Sequence, residues 1–209
     1  MNHSANGTVF PQPVGKSEDA ILNAAEGLIS INGYAGFSMR ELAEASGLAK
    51  GTIYHHFRDK QDVYTHVMER QMLSLQAAVA QAAAGHTDPV NGLRAVIETY
   101  FTVVSKRRNN ILATLRDNKD AQVQLHTLAE KHRDGFLQPI ADLVRQGIAA
   151  GSFRPVDVEM TVISLLGMMN AFVTHRLLLD QVDLDQHMVD HTLGLLLLGI
   201  NTPASLSQQ

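Results

Sequence analysis

Residues 38–60 read SMRELAEASGLAKGTIYHHFRDK, which is the pattern of two short helices joined by a turn. Ser38 and Glu41 have the spacing of a capping box, in which each side chain bonds the other residue's backbone amide at the start of a helix. Gly47 supplies the left-handed backbone that a tight turn needs. The apolar residues that can hold the two helices at a fixed crossing are Leu42, Ala43, Leu48 and Ile53. The stretch therefore predicts a helix-turn-helix.

The second of these helices, predicted from about Ala49 to His55, presents groups that suit nucleic acid. A DNA major groove admits one α-helix, whose side chains then reach base edges and phosphates. A cation, a small residue, a hydroxyl, a phenol and an imidazole lie on the outer side of this helix. Lys60 opens the next helix, where backbone amides also favour phosphate. The predicted DNA-binding residues are Ser38, Lys50, Gly51, Thr52, Tyr54, His55 and Lys60.

The composition of the whole chain excludes several classes of protein. The chain has 209 residues, 45% hydrophobic and 18% charged, with no cysteine and a formal net charge of -4. Such a composition is typical of a globular protein, and the lack of cysteine excludes disulfides, thiolate zinc sites and cysteine nucleophiles. The longest apolar stretches, at 162–173 and 193–200, are shorter than the ~20 residues of a membrane span. We expect a soluble cytoplasmic protein with no signal peptide and no membrane partner.

Helical periodicity continues along most of the chain, and no alternating strand pattern appears. The predicted division is a flexible tail at 1–16, a helix-turn-helix domain at 17–62, a connecting helix at 63–84, a helical domain at 85–200 and a second tail at 201–209. Ser17 is predicted to cap the first helix, and residues 85–89 (GHTDP) form the clearest break. Further helices are expected at about 90–106, 109–117, 120–150, 156–179 and 184–200. The predicted fold class is all-α, with about nine helices.

Residues 17–70 resemble the DNA-binding domain of the TetR family of transcriptional regulators. The similarity lies in ILxAA from residue 21, GYxGFSM from 33, ELAxxSGL from 41 and GTIYxHFxxK from 51. The resemblance implies that base edges, backbone or phosphates are contacted by Lys50, Thr52, Tyr54 and Lys60. It also implies that Phe57 packs inward, and that the helices after residue 84 form a ligand-sensing and dimerisation domain.

Two features of the sequence differ from those expected of a DNA-binding domain of the TetR family. His55 stands where many members of the family carry a second Tyr. Residues 1–70 contain six Lys or Arg and eight Asp or Glu, so even the predicted DNA-binding domain is not basic overall. Within 49–60, however, three cations oppose a single carboxylate. The positive charge is local, which predicts modest non-specific affinity and two domains on half-sites about 34 Å apart.

The predicted helices at 156–179 and 184–200 are apolar on more than one face. A helix that is apolar all round has to be buried on both sides. In a small domain the additional face favours a partner subunit, and two such helices from each of two chains would form a four-helix interface in a homodimer. The alternative is that both are ordinary core helices.

An effector pocket is expected among the helices of the second domain, where apolar and aromatic residues recur with a few polar ones. The candidates are Tyr100, Phe101, Val104, Leu115, Arg116, Phe136, Met168, Met169, Phe172 and His175, with Asn170 as a further polar contact. They predict a small, largely apolar effector of unknown identity. The alternative is that most of these residues belong to the core. The basic run at 106–108 is interpreted as a solvated helix end, because cations favour helix C-termini.

Other kinds of site find little support in the sequence. His187 and His191 have the i, i+4 spacing that can hold zinc, but no third ligand is obvious, so an exposed or interface helix face is the alternative. No nucleophile elbow, phosphate-binding glycine loop or metalloprotease motif occurs. We predict no metal, no cofactor and no enzymatic activity.

The preferred hypothesis is a homodimeric repressor that a small-molecule effector releases from a palindromic DNA operator. Two alternatives stay open at this point. One is a DNA-binding regulator without an effector, and the other is a helical enzyme whose helix-turn-helix is incidental. An internal cavity would argue against the first of these alternatives.

Overall fold

The computed structural model describes residues 14–34, 36–108, 111, 123, 127–128, 130–179 and 184–201. Within those residues the chain consists of helices and connecting turns, with one isolated antiparallel bridge between Phe153 and Asn201. The predicted all-α class is confirmed. The chain divides into two units, one ending at Val67 and one beginning at Met68.

Four helices contribute to the first unit: α1 (Val14–Asn32), α2 (Met39–Ser46), α3 (Lys50–His56) and the first part of α4 (Lys60–Ala84). The predicted start of α1 is wrong, because the helix begins at Val14 and Ser17 is buried inside it. A residue caps a helix only from a non-helical backbone, so Ser17 is no cap. The helix ends at Asn32, and Gly33 follows it with a φ of 71°, the left-handed backbone that ends many helices.

The start and end of α2 have the predicted geometry. The backbone N–H of Ser38 donates to Glu41 Oε2 at 2.7 Å, and the backbone N–H of Glu41 donates to Ser38 Oγ at 3.2 Å. This pair is a complete capping box. Gly47 follows the helix with a φ of 67°, where a side chain would strain the backbone. The turn between α2 and α3 is thus set by local chemistry.

Replacing Ser38 by alanine should lower the free energy of unfolding by about 1 kcal/mol, because the Glu41 amide loses its acceptor. The bonds from Ser38 hold the pKa of Glu41 below its ordinary value. A lowered pKa stabilises the fold above the ordinary pKa of glutamate, and this contribution disappears as the pH falls. The difference in free energy of unfolding between Ser38→Ala and the wild type should therefore be smaller at acidic pH.

Urea unfolding of Ser38→Ala at neutral and acidic pH measures both effects. Ser30→Ala is the matched control, because Ser30 Oγ bonds only the Gly27 carbonyl within α1 and caps no helix. An equal free energy of unfolding for Ser38→Ala and the wild type would contradict the assigned role of the capping box.

The core of the first unit joins α1, α2, α3 and the start of α4. Leu42 and Ile53 are buried as the sequence predicts, while Ala43 and Leu48 are half-buried. Phe57 is also buried, in agreement with the resemblance to the TetR family. The other buried apolar residues of this unit are Ile21, Leu22, Ala25, Ile29, Phe37, Val63, Tyr64 and Val67.

Among its described residues, the second unit contains the rest of α4 and four further helices: α5 (Pro89–Lys106), α6 (Arg133–Ala149), α7 (Val158–Phe172) and α8 (Gln186–Ile200). A π-helical segment, Val173–Leu179, continues α7. The N-termini of α5, α7 and α8 are capped by Asp88, Asp157 and Asp185. The helix predicted at 109–117 lies almost wholly outside the described residues. Of the one predicted at 120–150, the structure describes α6 and a few residues before it.

One continuous helical stretch, Val158–Arg176, is long and apolar enough to pass for a membrane span by length and composition. This stretch is longer than the apolar run at 162–173 in the sequence, because the π-helical segment extends α7. Only 22% of the stretch is buried within the chain. A single helix of this kind is weak evidence for a membrane, because helices that pack against protein have the same composition.

Candidate DNA interface and effector cavity

The outer face of α3 brings together most of the predicted DNA-binding residues. Lys50, Gly51, Tyr54 and His55 are exposed, and Thr52 is half-buried. Lys50 Nζ lies 5.7 Å from the centre of the Tyr54 ring, so a cation and a phenol share one side of the helix. Cations and hydroxyls in such a row can position a helix on DNA phosphates.

Lys60 begins α4 in a setting that the sequence did not predict. Its Nζ lies 4.7 Å from the centre of the Tyr34 ring and 4.6 Å from that of Phe37. Partial burial lowers the pKa of Lys60, and the nearby Glu41 carboxylate opposes that change. The aromatic rings hold the ammonium group in place. Because Tyr34 and Phe37 are more than twenty residues away in the chain, local spacing gives no signal of this contact.

Ser38 is occupied by its structural role at the start of α2. Its Oγ donates to Glu41 Oε2 at 2.8 Å and accepts from the Glu41 amide. A contact from Ser38 to DNA therefore stays a prediction, and it would have to compete with the capping box.

A cavity of about 380 Å³ lies in the second unit among α4, α5, α6 and α7. Its wall is mainly apolar, with polar groups on one side. The lining residues are Met72, Leu75, Tyr100, Glu130, His132, Arg133, Phe136, Leu137, Ile163, Leu166 and Asn170. This size and chemistry are typical of sites for small, largely apolar molecules.

Two of the polar lining residues form a neutral pair. Burial raises the pKa of Tyr100 to about 12, so its hydroxyl keeps its proton at neutral pH. That hydroxyl donates to Asn170 Oδ1 at 2.6 Å. The pair gives the cavity a fixed hydrogen-bonding point without a charge.

A cluster of polar contacts, which we name the α4 seam, joins α4 to the chain just before and at the start of α6. Glu69 Oε1 accepts from Lys131 Nζ at 2.6 Å and from His132 Nε2 at 3.0 Å. About two helical turns further along α4, Gln76 Nε2 donates to the His132 carbonyl at 3.4 Å. A Cβ on Gly135 would lie 1.5 Å from Gln76 Nε2, so a larger residue here would force the end of the Gln76 side chain to move. These five residues define the α4 seam.

Two family comparisons match most of the chain. Residues 21–67 match the model of bacterial regulatory proteins of the tetR family, and residues 86–174 match the model of the tetracyclin repressor-like C-terminal domain. The chain belongs to the TetR family of transcriptional regulators. It is therefore a DNA-binding regulator, and the helical-enzyme alternative is excluded.

Known relatives of this TetR-family chain include a regulator of fatty acid metabolism and a transcriptional activator. The fatty acid metabolism regulator protein of Bacillus subtilis strain 168 is 23% identical over 162 residues, 77% of this chain and 84% of that protein. The HTH-type transcriptional activator FasR of Mycolicibacterium smegmatis is 25% identical over 147 residues, 69% of this chain and 67% of that protein.

A solved structure with the same fold is that of the regulator FadR from Bacillus subtilis in complex with stearoyl-CoA. It has a TM-score of 0.68 and 24% identity, and the match covers 88% of this chain and 99% of that one. At this identity the likeness shows the shared TetR fold alone.

The structure brings only some of the predicted pocket residues of this TetR-family regulator to the cavity. Tyr100, Phe136 and Asn170 line it. Three others, Phe101, Val104 and Met169, are buried in the core and do not line it. Leu115 and Arg116 lie outside the described residues.

The remaining candidates lie elsewhere in the second unit. Met168 lines a separate groove between α7 and α8, Phe172 lines a small hollow beside α8, and His175 is exposed on the π-helical segment. The sequence missed the α4 wall of the cavity, Met72 and Leu75, because their helical spacing was assigned to a connecting helix. It also missed the polar lining residues Glu130, His132 and Arg133, because no sequence motif distinguishes them.

The basic run at 106–108 is only partly a solvated helix end. Lys106 ends α5 and is exposed. Arg107 is half-buried, and its guanidinium donates to the Gln71 carbonyl at 2.5 Å and to Ser74 Oγ at 3.0 Å. This residue therefore ties the end of α5 to α4 on the C-terminal side of Glu69.

The His187–His191 pair lies on an exposed face of α8. The two rings are nearly parallel, with centres 6.3 Å apart. Among the residues that the structure describes, no three His, Asp or Glu side chains form a group that could hold a metal. The pair therefore stays an exposed helix face in our interpretation, next to a small hollow that Phe172 and Arg176 also line.

Proposed function

We propose that this TetR-family regulator is a homodimeric repressor that leaves a palindromic operator when a largely apolar effector fills the cavity among α4 to α7. The single observation that carries the proposal is the cavity itself, with an apolar wall and the neutral Tyr100–Asn170 pair. Such a cavity favours the effector-dependent regulator over the DNA-binding regulator without an effector. The regulator acts in the cytoplasm, where its operator lies.

The effector that we propose is a fatty acyl thioester. The aliphatic and aromatic wall of the cavity suits an acyl chain, and methionine adapts to chains of different shape. The polar side chains at 130–133 lie at one side, where a polar head would emerge. Support also comes from the relatives, one a regulator of fatty acid metabolism and one solved with stearoyl-CoA.

Homodimerisation is proposed through the outer faces of α7 and α8. Several large apolar side chains on these helices are largely exposed among the residues that the structure describes, among them Met160, Leu195 and Leu198. An exposed apolar patch of this kind marks an interaction surface. The same patch explains why the apolar stretch Val158–Arg176 is so little buried in a single chain.

In the proposed mechanism the effector acts through α4, which supplies Met72 and Leu75 to the cavity wall and Lys60 to the DNA-binding unit. A change in the position of α4 alters the separation of the two recognition helices in the dimer, so that they no longer match the half-site spacing. The effector can shift this equilibrium only by its different affinity for the two states.

Two experiments test the proposed function. Selection of bound DNA from a random pool should return a palindrome, and a non-palindromic site would contradict the dimeric arrangement. A gel-shift titration with lauroyl-CoA on the selected site should then release the DNA. Unchanged operator affinity at saturating lauroyl-CoA would rule out release by this class of effector.

Leu166→Trp should weaken the binding of lauroyl-CoA about tenfold or more, because the larger ring occupies the cavity that the acyl chain needs. Operator affinity without ligand should stay within about twofold of the wild type, as expected of a substitution outside the DNA interface. Isothermal calorimetry and gel shifts measure the two affinities.

Leu73→Trp is the control for this substitution, because Leu73 is exposed on α4 and does not line the cavity. Thermal melting of both variants reports any loss of folding through overpacking. Equal lauroyl-CoA affinity in Leu166→Trp and the wild type would show that the acyl chain binds elsewhere.

A further inference from the structure

The α4 seam and the effector cavity share a residue. His132 lines the cavity, and its Nε2 also donates to Glu69 on α4. A carboxylate oxygen only accepts hydrogen bonds, so Nε2 of His132 carries a proton in this contact. The same imidazole therefore faces a bound ligand on one side and α4 on the other.

Glu69 does not itself line the cavity, but it bonds His132, which does. The single Glu69 oxygen Oε1 takes both the Lys131 ammonium and the His132 imidazole. These two bonds lower the pKa of Glu69, which keeps the carboxylate charged at neutral pH. Glu69 is 25% exposed and His132 15%, so their contact is less screened by water than a surface ion pair.

The other carboxylates nearby are more exposed. Glu130 lies at the cavity wall but faces solvent, and Glu159, which pairs with Arg133 at 3.4 Å, is 75% exposed. Water screens both charges more effectively than it screens Glu69. Among the described side chains, Glu69 is therefore the carboxylate that a ligand anion would have to replace at Lys131 and His132.

We propose that Lys131 and His132 form an anion subsite at the polar side of the effector cavity, and that Glu69 occupies this subsite in the ligand-free protein. A phosphate or carboxylate of the bound effector displaces Glu69 and so releases α4 from the α4 seam. The identity of the ligand rests on the proposed function. The contact of Glu69 with Lys131 and His132 is seen in the structure and does not depend on the proposed function.

The subsite explains how an effector with an apolar chain can release α4 without displacing it by steric contact. Met72 lies one turn from Glu69 on α4, so a chain lying against Met72 brings its head to the α4 seam. Exchange of one anion for another at Lys131 and His132 preserves the ion pairs. What changes is that α4 loses the two bonds from Glu69 to the segment before α6, while the Gln76 contact stays.

Glu69→Gln tests the proposal while preserving the shape of the side chain. Without the charge, the side chain competes less strongly for Lys131 and His132, and lauroyl-CoA should bind the DNA-free dimer about three- to tenfold more tightly, the range of a partly exposed charged contact. The uncharged thioester lauroyl-N-acetylcysteamine should bind both proteins equally. Operator affinity without ligand should fall by about three- to tenfold, because α4 is held less firmly.

Asp142→Asn is the control, because it removes one negative charge from an exposed position on α6 that neither lines the cavity nor contacts the subsite. It should change neither affinity beyond about twofold, as a surface substitution does. The reverse change, Lys131→Gln with His132→Gln, should weaken lauroyl-CoA binding but not binding of the uncharged thioester. Laurate, tested beside lauroyl-CoA, distinguishes a carboxylate from a phosphate as the anion.

The ligand-free measurement separates this inference from the proposed function. If lauroyl-CoA leaves the wild-type operator complex intact, the proposed function is wrong, whereas the closed α4 seam still predicts weaker operator binding by Glu69→Gln. If Glu69→Gln and Asp142→Asn bind operator and lauroyl-CoA alike, the inference is overturned even where lauroyl-CoA releases DNA. Thermal melting of both variants confirms that the comparison is made between folded proteins.

Discussion

A chain carrying Leu195→Asp and Leu198→Asp is expected to be a monomer and to bind its operator at least about a hundredfold more weakly than the wild type. Leu198 is 85% exposed and Leu195 48% exposed on α8. In a two-fold interface each position occurs twice, so two substitutions place four charges where four leucines would pack. Burial of one leucine contributes about 1.5–3 kcal/mol, which makes this loss larger than most dimers tolerate.

The loss of operator binding follows from the geometry of the site. A monomer covers one half-site, and it loses the high effective concentration that the second domain gains once the first is bound. With a net charge of -4, the chain has little general attraction for DNA to compensate. Light scattering after size-exclusion chromatography gives the mass, and gel shifts give the operator affinity.

Ile31→Asp is the control for adding a charge at an exposed apolar position. Ile31 is 80% exposed on α1, in the other unit, and should leave the mass of the dimer unchanged. A dimeric mass for the Leu195→Asp, Leu198→Asp chain would show that the subunits associate through another surface.

The double variant Tyr54→Phe with Lys60→Ala is expected to lose operator binding by about a hundredfold or more. The resemblance to the TetR family assigns both side chains to phosphates, and a hydrogen bond to a charged group contributes about 1.5–3 kcal/mol. Each contact occurs twice in the dimer. The exposed hydroxyl of Tyr54 and the ammonium of Lys60 at the start of α4 agree with this assignment.

The salt dependence distinguishes the two contacts. Tyr54→Phe removes a neutral donor and releases no counterion, so the slope of log affinity against log salt should not change. Lys60→Ala should reduce the slope by about one per subunit. Unchanged affinity and slope in the double variant would refute the assigned contacts.

Lys60 also has a structural role that this test has to separate. Its ammonium lies over the Tyr34 and Phe37 rings, so Lys60→Ala removes a packing partner as well as a charge. Thermal melting of Lys60→Ala reports that contribution. Arg145→Ala changes the net charge equally from an exposed position on α6, and it should leave the salt slope unchanged.

The α2–α3 region shows how much of this protein follows from local sequence. Ser38 and Glu41 are three residues apart, and the turn at Gly47 needs only its own backbone freedom. Interactions of that range appear directly in the order of the residues. The failure at Ser17 has the opposite origin, because Ser17 is buried within a helix that begins at Val14, and tertiary context overrides a local capping signal.

The effector cavity depends on contacts that are distant in sequence. Tyr100 meets Asn170 seventy positions away, and Glu69 meets His132 across sixty-three. Helical periodicity shows which face of α4 is apolar but not which helix covers it, so Met72 and Leu75 appeared to belong to a connecting helix. It also does not distinguish a residue that lines a cavity from one that fills the core, as Phe101 and Met169 show.

The sequence by itself determined the all-α class, the helix-turn-helix and membership of the TetR family, because capping, turn and packing signals there lie within some forty residues. Only the tertiary structure decided where the cavity lies, which side chains line it and that Glu69 closes onto Lys131 and His132. The reason is physical. Local backbone preferences act between neighbours in the chain, whereas a cavity and its ion pairs exist only where separate helices meet.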